Sequence, residues 1–257
     1  MKYFIIPPCE ELRDVISHFW IGTWDATLQK PNTNYYVVAN SLTEITFAFS
    51  GSLKHSELLF AVVQGHTCLP HQFPVAGFYH LLGVAVYSYA IPSLFNIPAS
   101  KLSEEFISLD TFLGYEGRLL NEKIALAYTN QERIKILSDY FTSILRKQRL
   151  EDKRITTAIK EIKKSKGSIK VSELANYFCL SQKQFGRRFK EFSGFSPKMY
   201  SRIIRFESVI HNYSDTSNFT EVAYENGYYD QAHFIHEFKS FTGYNPTEFW
   251  KIGEENK

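Results

Sequence analysis

Between positions 182 and 190, six side chains that can donate hydrogen bonds or carry charge surround two phenylalanines. They are Gln182, Lys183, Gln184, Arg187, Arg188 and Lys190, and the phenylalanines are Phe185 and Phe189. Residues four apart share one face of a helix, so the two rings point one way and Gln182, Lys183, Gly186, Arg187 and Lys190 another. The outward set suits a polyanion with readable edges. The guanidinium of Arg187 can bond guanine O6 and N7 together, Lys183 lies on the same stripe, and Gln182 can read adenine. Each good bidentate pair contributes ~1–3 kcal/mol of discrimination. Arg188 and Lys190, with Arg202 and Arg205 further on, suit phosphate oxygens, which position a protein without reading sequence. Gly186 has no side chain and permits close approach. A solvated helical surface accounts for the same residue types with no ligand at all.

The pattern returns. Phe185, Phe189, Lys190, Phe192, Gly194 and Pro197 recur as Phe234, Phe238, Lys239, Phe241, Gly243 and Pro246, each 49 positions later. The outward residues of this second stretch are Gln231, Ala232, Ile235, His236 and Lys239. Gln231 and His236 are its candidate base readers and Lys239 its phosphate contact. A neutral histidine can bond a base edge but lacks the fixed charge and planar fork of arginine. Glu225, Asp230 and Glu237 add negative charge, so the second stretch is expected to be the weaker reader, although Asp230 also has the place of a helix N-cap.

Total charge conceals this contrast. The 257 residues carry +2 overall, yet residues 153–205 hold 14 Lys/Arg against 3 Asp/Glu, and residues 206–257 hold 3 against 9. Clustered positive charge is the footprint of a polyanion-binding face. Composition is otherwise that of a globular chain, 44% hydrophobic and 16% aromatic, enough for one or two domains. Cys9, Cys68 and Cys179 are scattered and form no CxxC, which fits a reducing compartment. The apolar run near the N-terminus ends at Pro7-Pro8, too short for a signal peptide, and no stretch approaches the ~18 apolar residues of a membrane span. A cytoplasmic protein is expected.

Residues 1–149 are expected to form an α+β domain, a small barrel or sandwich with flanking helices. Strands run to about 115, in "YYVVANSLTEITFAFSGS", "ELLFAVVQGHTCL" and "GFYHLLGVAVYSYAI". An early helix is predicted at "CEELRDVISHFW", where Leu12, Val15, Ile16 and Phe19 fall at helical spacing. Helices follow over 117–149, and the polar run at 146–154 is the expected linker. Residues 150–257 are expected to be all-helical, with about seven helices. Start signals are Ser181-x-x-Gln184, Asn218-x-x-Glu221, Asp230, Ser196-Pro197 and Asn245-Pro246. A first helix with Ala175 or Ala223, a short turn, and a second helix with its phenylalanine pair make two helix-turn-helix units, at about 171–190 and 219–240.

These motifs carry a resemblance. "VSELANYFCLSQKQFGRRFKEFSGFSP" and "FTEVAYENGYYDQAHFIHEFKSFTGYNPTEF" resemble the DNA-binding domain of AraC/XylS-type bacterial transcription regulators, over about 40% of the chain. The resemblance implies two helix-turn-helix subdomains joined by a helix at about Pro197 to Tyr213, binding to double-stranded promoter DNA, and activation or repression of transcription, with RNA polymerase as a partner. "PCEELRDVISHFW", "GH" at 65–66 and "LLGVAV" are similar to the N-terminal part of a subgroup of these regulators. That likeness implies a module that senses a small-molecule effector or forms a homodimer, with the ligand unknown.

Other constellations are weaker. His66, Cys68, His71 and His80 lie close in sequence, but their spacing fits no tight metal-ligand pattern. Cys179 stands in the first turn, where a small residue fits. No Gly-rich phosphate loop or nucleophile elbow occurs. No metal or cofactor is expected, and the chain is not expected to be an enzyme. Of the aromatics Tyr35, Tyr36, Phe47, Phe49, Phe78, Tyr79, Tyr87 and Tyr89, most are expected in the core, while alternation places some on one face where they can line an apolar cavity. The alternative to a DNA-binding regulator is a ligand-binding or protein-interaction module with a degenerate DNA-binding domain.

Overall fold

The structure, a computed structural model, describes residues 2–25, 34–50, 56–74, 77–147, 152–213 and 218–255. It divides into two compact units. One comprises Met1–Tyr35, Leu42–His66 and Phe73–Glu151; the other comprises Tyr36–Ser41, Thr67–Gln72 and Asp152–Lys257.

The strands are β1 (Lys2–Ile6), β2 (Ile16–Asp25), β3 (Asn34–Val37), β4 (Leu42–Ser50), β5 (Glu57–Gln64), β6 (His71–Pro74), β7 (Phe78–Tyr87) and β8 (Phe106–Ser108); all but β3 and β6, which have residues in each unit, lie wholly in the first. Six of them form a sheet in the order β1-β2-β7-β4-β5-β8, and β3 pairs with β6. The large sheet is not closed, so the architecture is that of a sandwich. Its ladders are antiparallel, with Thr46 opposite both Gly83 and Val62, and Gly83 also opposite Trp20. Alternation divides the residues of each strand between two faces. Ile45, Phe47, Phe49, Val63, Leu82, Val84 and Val86 are all buried on one face. Helix α4 (Asn130–Leu145) covers Phe49 there, with the guanidinium of buried Arg133 3.7 Å from the ring centroid. Short helices α1 (Ile91–Phe95) and α2 (Leu109–Leu113) and the longer α3 (Tyr115–Leu126) complete the flank.

The early helix predicted at "CEELRDVISHFW" is not formed. A single 3-10 turn covers Glu10–Leu12, and the chain enters β2 at Ile16. Val15, Ile16 and Phe19 fit either period. The β-branched and aromatic residues that continue through Trp24 resolve the ambiguity, because they pair with both β1 and β7.

The second unit holds seven helices among its described residues. They are α5 (Lys153–Lys164), α6 (Val171–Tyr177), α7 (Gln182–Ser193), α8 (Pro197–Asn212), α9 (Phe219–Glu225), α10 (Gln231–Thr242) and α11 (Pro246–Glu255). Ser181 and Gln184 close a reciprocal capping box, each bond 3.2 Å. Ser196 caps α8, Asp230 caps α10 through the His233 N–H at 2.7 Å, and Asn245 caps α11. Asn218 accepts from Thr220 N at 2.9 Å, a cap without the reciprocal Glu221 bond. Helix α5 begins within the run expected as linker. Asp152 is its N-cap, and Ile155, Ile159 and Ile162 form its buried face. Residues 148–151 of that run lie outside the described residues.

The core of this unit is aromatic. Phe189 meets Tyr200, Phe206 meets Phe238 and Phe241, and Phe238 meets Phe249, with centroids 5.3–5.5 Å apart. Such pairs stabilise beyond their buried area by ~0.5–1.5 kcal/mol each. Glu207 on α8 is half-buried in this unit and accepts from Ser41 N at 2.6 Å and Ser41 Oγ at 3.0 Å. Burial raises its pKa, opposed by the two Ser41 bonds and by the charges of Lys163 and His211.

Candidate nucleic-acid interface and an aromatic cavity

Each helix-turn-helix unit is assembled from the same parts. Ala175 and Ala223 are fully buried and let the first helix pack closely. Leu180 N and Tyr228 N bond back to the carbonyls of Ala175 and Ala223, at 3.0 and 2.9 Å. Cys179 and Gly227 take left-handed φ of 55° and 73° in the turns. These first-helix and turn residues are 48 positions apart, whereas the second-helix residues are 49 apart. The second turn is therefore one residue longer. Tyr229 falls in the lengthened segment and is 85% exposed. Beyond it, Phe185 with Phe189 and Phe234 with Phe238 are buried, which turns the opposite faces of α7 and α10 to solvent.

On α7, Gln182, Lys183, Arg187 and Lys190 are all exposed. Lys183, Arg187 and Lys190 form no ion pair among the described residues. A Cβ added at Gly186 would meet nothing within 4 Å, so no packing inside the protein requires glycine there. On α10, Gln231, Ala232, His236 and Lys239 are exposed. Gln231 accepts a bond from Thr220 Oγ1 at 2.9 Å, an orienting contact from α9.

The other three residues expected at phosphates are half-buried against neighbours. Arg188 Nε donates to Asp152 Oδ2 at 2.7 Å, so the cap of α5 also anchors α7. Arg202 Nε donates to Glu237 Oε2 at 2.6 Å and lies 5.2 Å from the Phe241 centroid. Arg205 lies 5.1 Å from the Tyr228 centroid. Arg188 and Glu237 occupy equivalent positions, 49 apart, with opposite charge, and each is neutralised by a residue of opposite sign. Sequence reasoning held an acid partner for Arg188 as the alternative to phosphate without naming the acid, and missed the Arg202–Glu237 pair. The partner of Arg188 is 36 residues away and that of Glu237 is 35, beyond the reach of any local pattern.

The first unit contains a cavity of about 280 Å³ on the sheet face opposite Phe47 and Phe49. Trp20, Trp24, Tyr35, Thr46, Phe60, Val62, Gln64, Phe73, Tyr79, Leu81 and Phe106 line it. Gly83 lets the sheet accept Trp20, since a Cβ there would stand 2.2 Å from the indole. The indole nitrogens of Trp20 and Trp24 are buried without a hydrogen-bond partner among the described residues. Two of the aromatics singled out from sequence, Tyr35 and Tyr79, line the cavity. Phe47 and Phe49 belong to the core, while Tyr36 and Phe78 are exposed.

His66, Cys68, His71 and His80 do not make a metal centre. Among the described residues, no group of three or more His, Cys, Asp or Glu could hold a metal ion. Burial lowers the pKa of His66 to about 4, partly offset by Glu104. No described helix is long and apolar enough to cross a membrane.

Residues 174–252 match the family described as a helix-turn-helix domain, and residues 5–108 match a domain of unknown function, DUF6597. No curated protein matches the chain. Among solved structures, the chain is similar to wild-type ToxT from Vibrio cholerae bound to an unsaturated fatty acid. That match has 13% identity and a TM-score of 0.50, covering 90% of this chain and 94% of that one. It is also similar to ToxT bound to (E)-4-(8-methylnaphthalen-1-yl)but-3-enoic acid, at 12% identity and a TM-score of 0.47, covering 90% and 97%. At such identity the likeness is one of fold. The C-terminal part of the chain, residues 174–252, thus carries a helix-turn-helix domain of the AraC type.

Proposed function

We propose that the protein is a sequence-specific regulator of transcription that sets α7 and α10 into the major groove of promoter DNA, and that its N-terminal unit senses a small molecule. The observation that carries the DNA reading is the exposed, unpaired set Lys183, Arg187 and Lys190, standing opposite the buried Phe185 and Phe189. A helix held by an apolar face against its neighbours, with basic and amide side chains on the other, is suited to base edges and phosphates.

Gln182, Lys183 and Arg187 read bases from α7, and Gln231 and His236 read them from α10. Lys190 and Lys239 contact phosphates. Arg188, Arg202 and Arg205 support the recognition helices from behind, and nitrogens not engaged in the ion pairs of Arg188 and Arg202 or in the ring contact of Arg205 remain able to reach phosphate oxygens. Support for the sensing role comes from the aromatic cavity and from the fold shared with ToxT, whose structure holds an unsaturated fatty acid. The test is selection of duplexes from a random pool by the full chain. Enrichment of one motif is expected, and loss of its binding on Arg187→Ala. A pool with no enriched motif would sink the reading.

A further inference from the structure

The cavity of the N-terminal unit is lined by aromatic rings, and among the described residues its wall contains no Lys, Arg or His. One charged group stands beside it. Glu44 lies on β4 two residues before Thr46, on the same face, and opposite Gln64 of β5; Thr46 and Gln64 both line the cavity. Among the described residues, Glu44 makes no hydrogen bond or ion pair. It is enclosed by protein yet keeps some accessible surface, as a group facing a cavity does. Burial pushes its pKa up to about 7, and no cation among the described residues opposes the shift. Its charge is felt by Tyr35, itself part of the wall, and by Tyr3, whose ring stacks on Trp20 at 5.4 Å.

Ring faces carry negative electrostatic potential and attract cations, most strongly when both are desolvated. A buried carboxylate without a partner is costly unless a cation or hydrogen-bond donor reaches it. Trp20, Trp24, Tyr35, Phe60, Phe73, Tyr79 and Phe106 supply the rings, and Glu44 supplies the acceptor. A carboxylate ligand would meet like charge and no base among the described wall residues. At about 280 Å³ the cavity lies at the small end of ligand pockets (~300–1,000 Å³).

We infer that the effector site of this chain takes a small apolar organic amine in its ammonium form, with the amine held by Glu44 and the body by the aromatic wall. The inference rests on the proposed sensing role and specifies its ligand class. The experiment uses the full chain and three probes of matched shape: phenethylamine, 3-phenylpropionate and propylbenzene. Binding is read by calorimetry and by tryptophan fluorescence, since Trp20 and Trp24 are in the wall.

Phenethylamine is expected to bind at least tenfold more tightly than either counterpart, and to lose at least tenfold on Glu44→Gln. Retained affinity for the selected DNA duplex shows that the variant is folded. Should Glu44→Gln fail that check, Thr46→Val, which keeps the carboxylate, is expected to preserve the preference for the amine. Equal or tighter binding of the carboxylate or the neutral probe overturns the ligand class and leaves the sensing role standing. Binding of none of the three, with DNA binding intact, also overturns the inference and leaves the DNA-binding reading untouched.

Discussion

Glu237 Oε2 accepts a hydrogen bond from Arg202 Nε at 2.6 Å, with the glutamate side chain only 3% exposed. Glu237 is the counterpart of Arg188, which is held by Asp152. At this position the two recognition helices differ by a full reversal of charge, and in both the charge is spent inside the protein. Other acids of the second half are used similarly. Asp230 caps α10, Glu248 bonds the backbone N–H of Asn245, and Glu207 is held by Ser41. The acidic total of residues 206–257 thus overstates how negative the outward face of α10 is. What separates the two faces is Lys183 and Arg187 against Ala232 and His236.

Glu237→Ala should cost about 3 kcal/mol of stability, because it leaves Arg202 partly buried without its anion. Arg188→Ala should cost about 1 kcal/mol, since the acid it leaves behind is more open, Asp152 being 13% exposed against 3% for Glu237. Urea unfolding of each variant measures both. Equal losses would show that the Glu237 pair is no more deeply embedded than its counterpart.

Gly186→Ala should stabilise α7 by ~0.5–1 kcal/mol, because glycine inside a helix is unfavourable and the new methyl meets open space. The same change should weaken DNA binding severalfold if the duplex occupies that space. Thermal denaturation and fluorescence anisotropy check the two parts. A variant that is more stable and binds DNA unchanged would remove Gly186 from the interface.

Cys179 holds φ 55° in the first turn, where the second turn has Gly227 at 73°. A side chain in left-handed backbone is strained by ~1–2 kcal/mol, and glycine relieves that at some cost in chain entropy. Cys179→Gly should therefore gain ~0.5–1 kcal/mol in chemical denaturation. A loss would mean that the thiol packs favourably enough to offset the strain.

Stability should also depend on Glu44. Its folded pKa of about 7 lies above the ordinary value of 4.5, so the folded state holds the proton more tightly. The resulting stabilisation is complete below about pH 4.5 and is lost as pH rises through about 7. Tyr3 and Tyr35, the titratable neighbours, are raised above their ordinary range and stay neutral throughout. Glu44→Gln should match the parent near pH 4.5 and exceed its melting temperature at pH 8, by on the order of 5 °C. A constant difference across that range would show Glu44 to be solvated.

The helical unit was legible in sequence because its signals are local. Capping residues sit three positions from their targets, and the phenylalanine pairs declare the inward face. The cavity was not legible. Trp20, Thr46, Val62 and Leu81 become neighbours only through the strand order β1-β2-β7-β4-β5-β8, which no periodicity reports. Alternation placed some of eight named aromatics on one face without saying which, and nothing in "NSLTEITF" distinguishes Glu44 from an exposed acid on an edge strand. The Ser41–Glu207 bonds join residues 166 apart and had no local signal either. The early helix failed for the opposite reason, since its local pattern was present but ambiguous.

The central claim is that the protein reads DNA chiefly through α7. Its most direct test is the affinity of the selected duplex for Arg187→Ala and His236→Ala across a range of salt concentrations. Arg187→Ala should lose at least tenfold and reduce the slope of log K against log salt by about one, while His236→Ala should lose less and leave the slope unchanged. Equal losses with equal slopes would contradict the account.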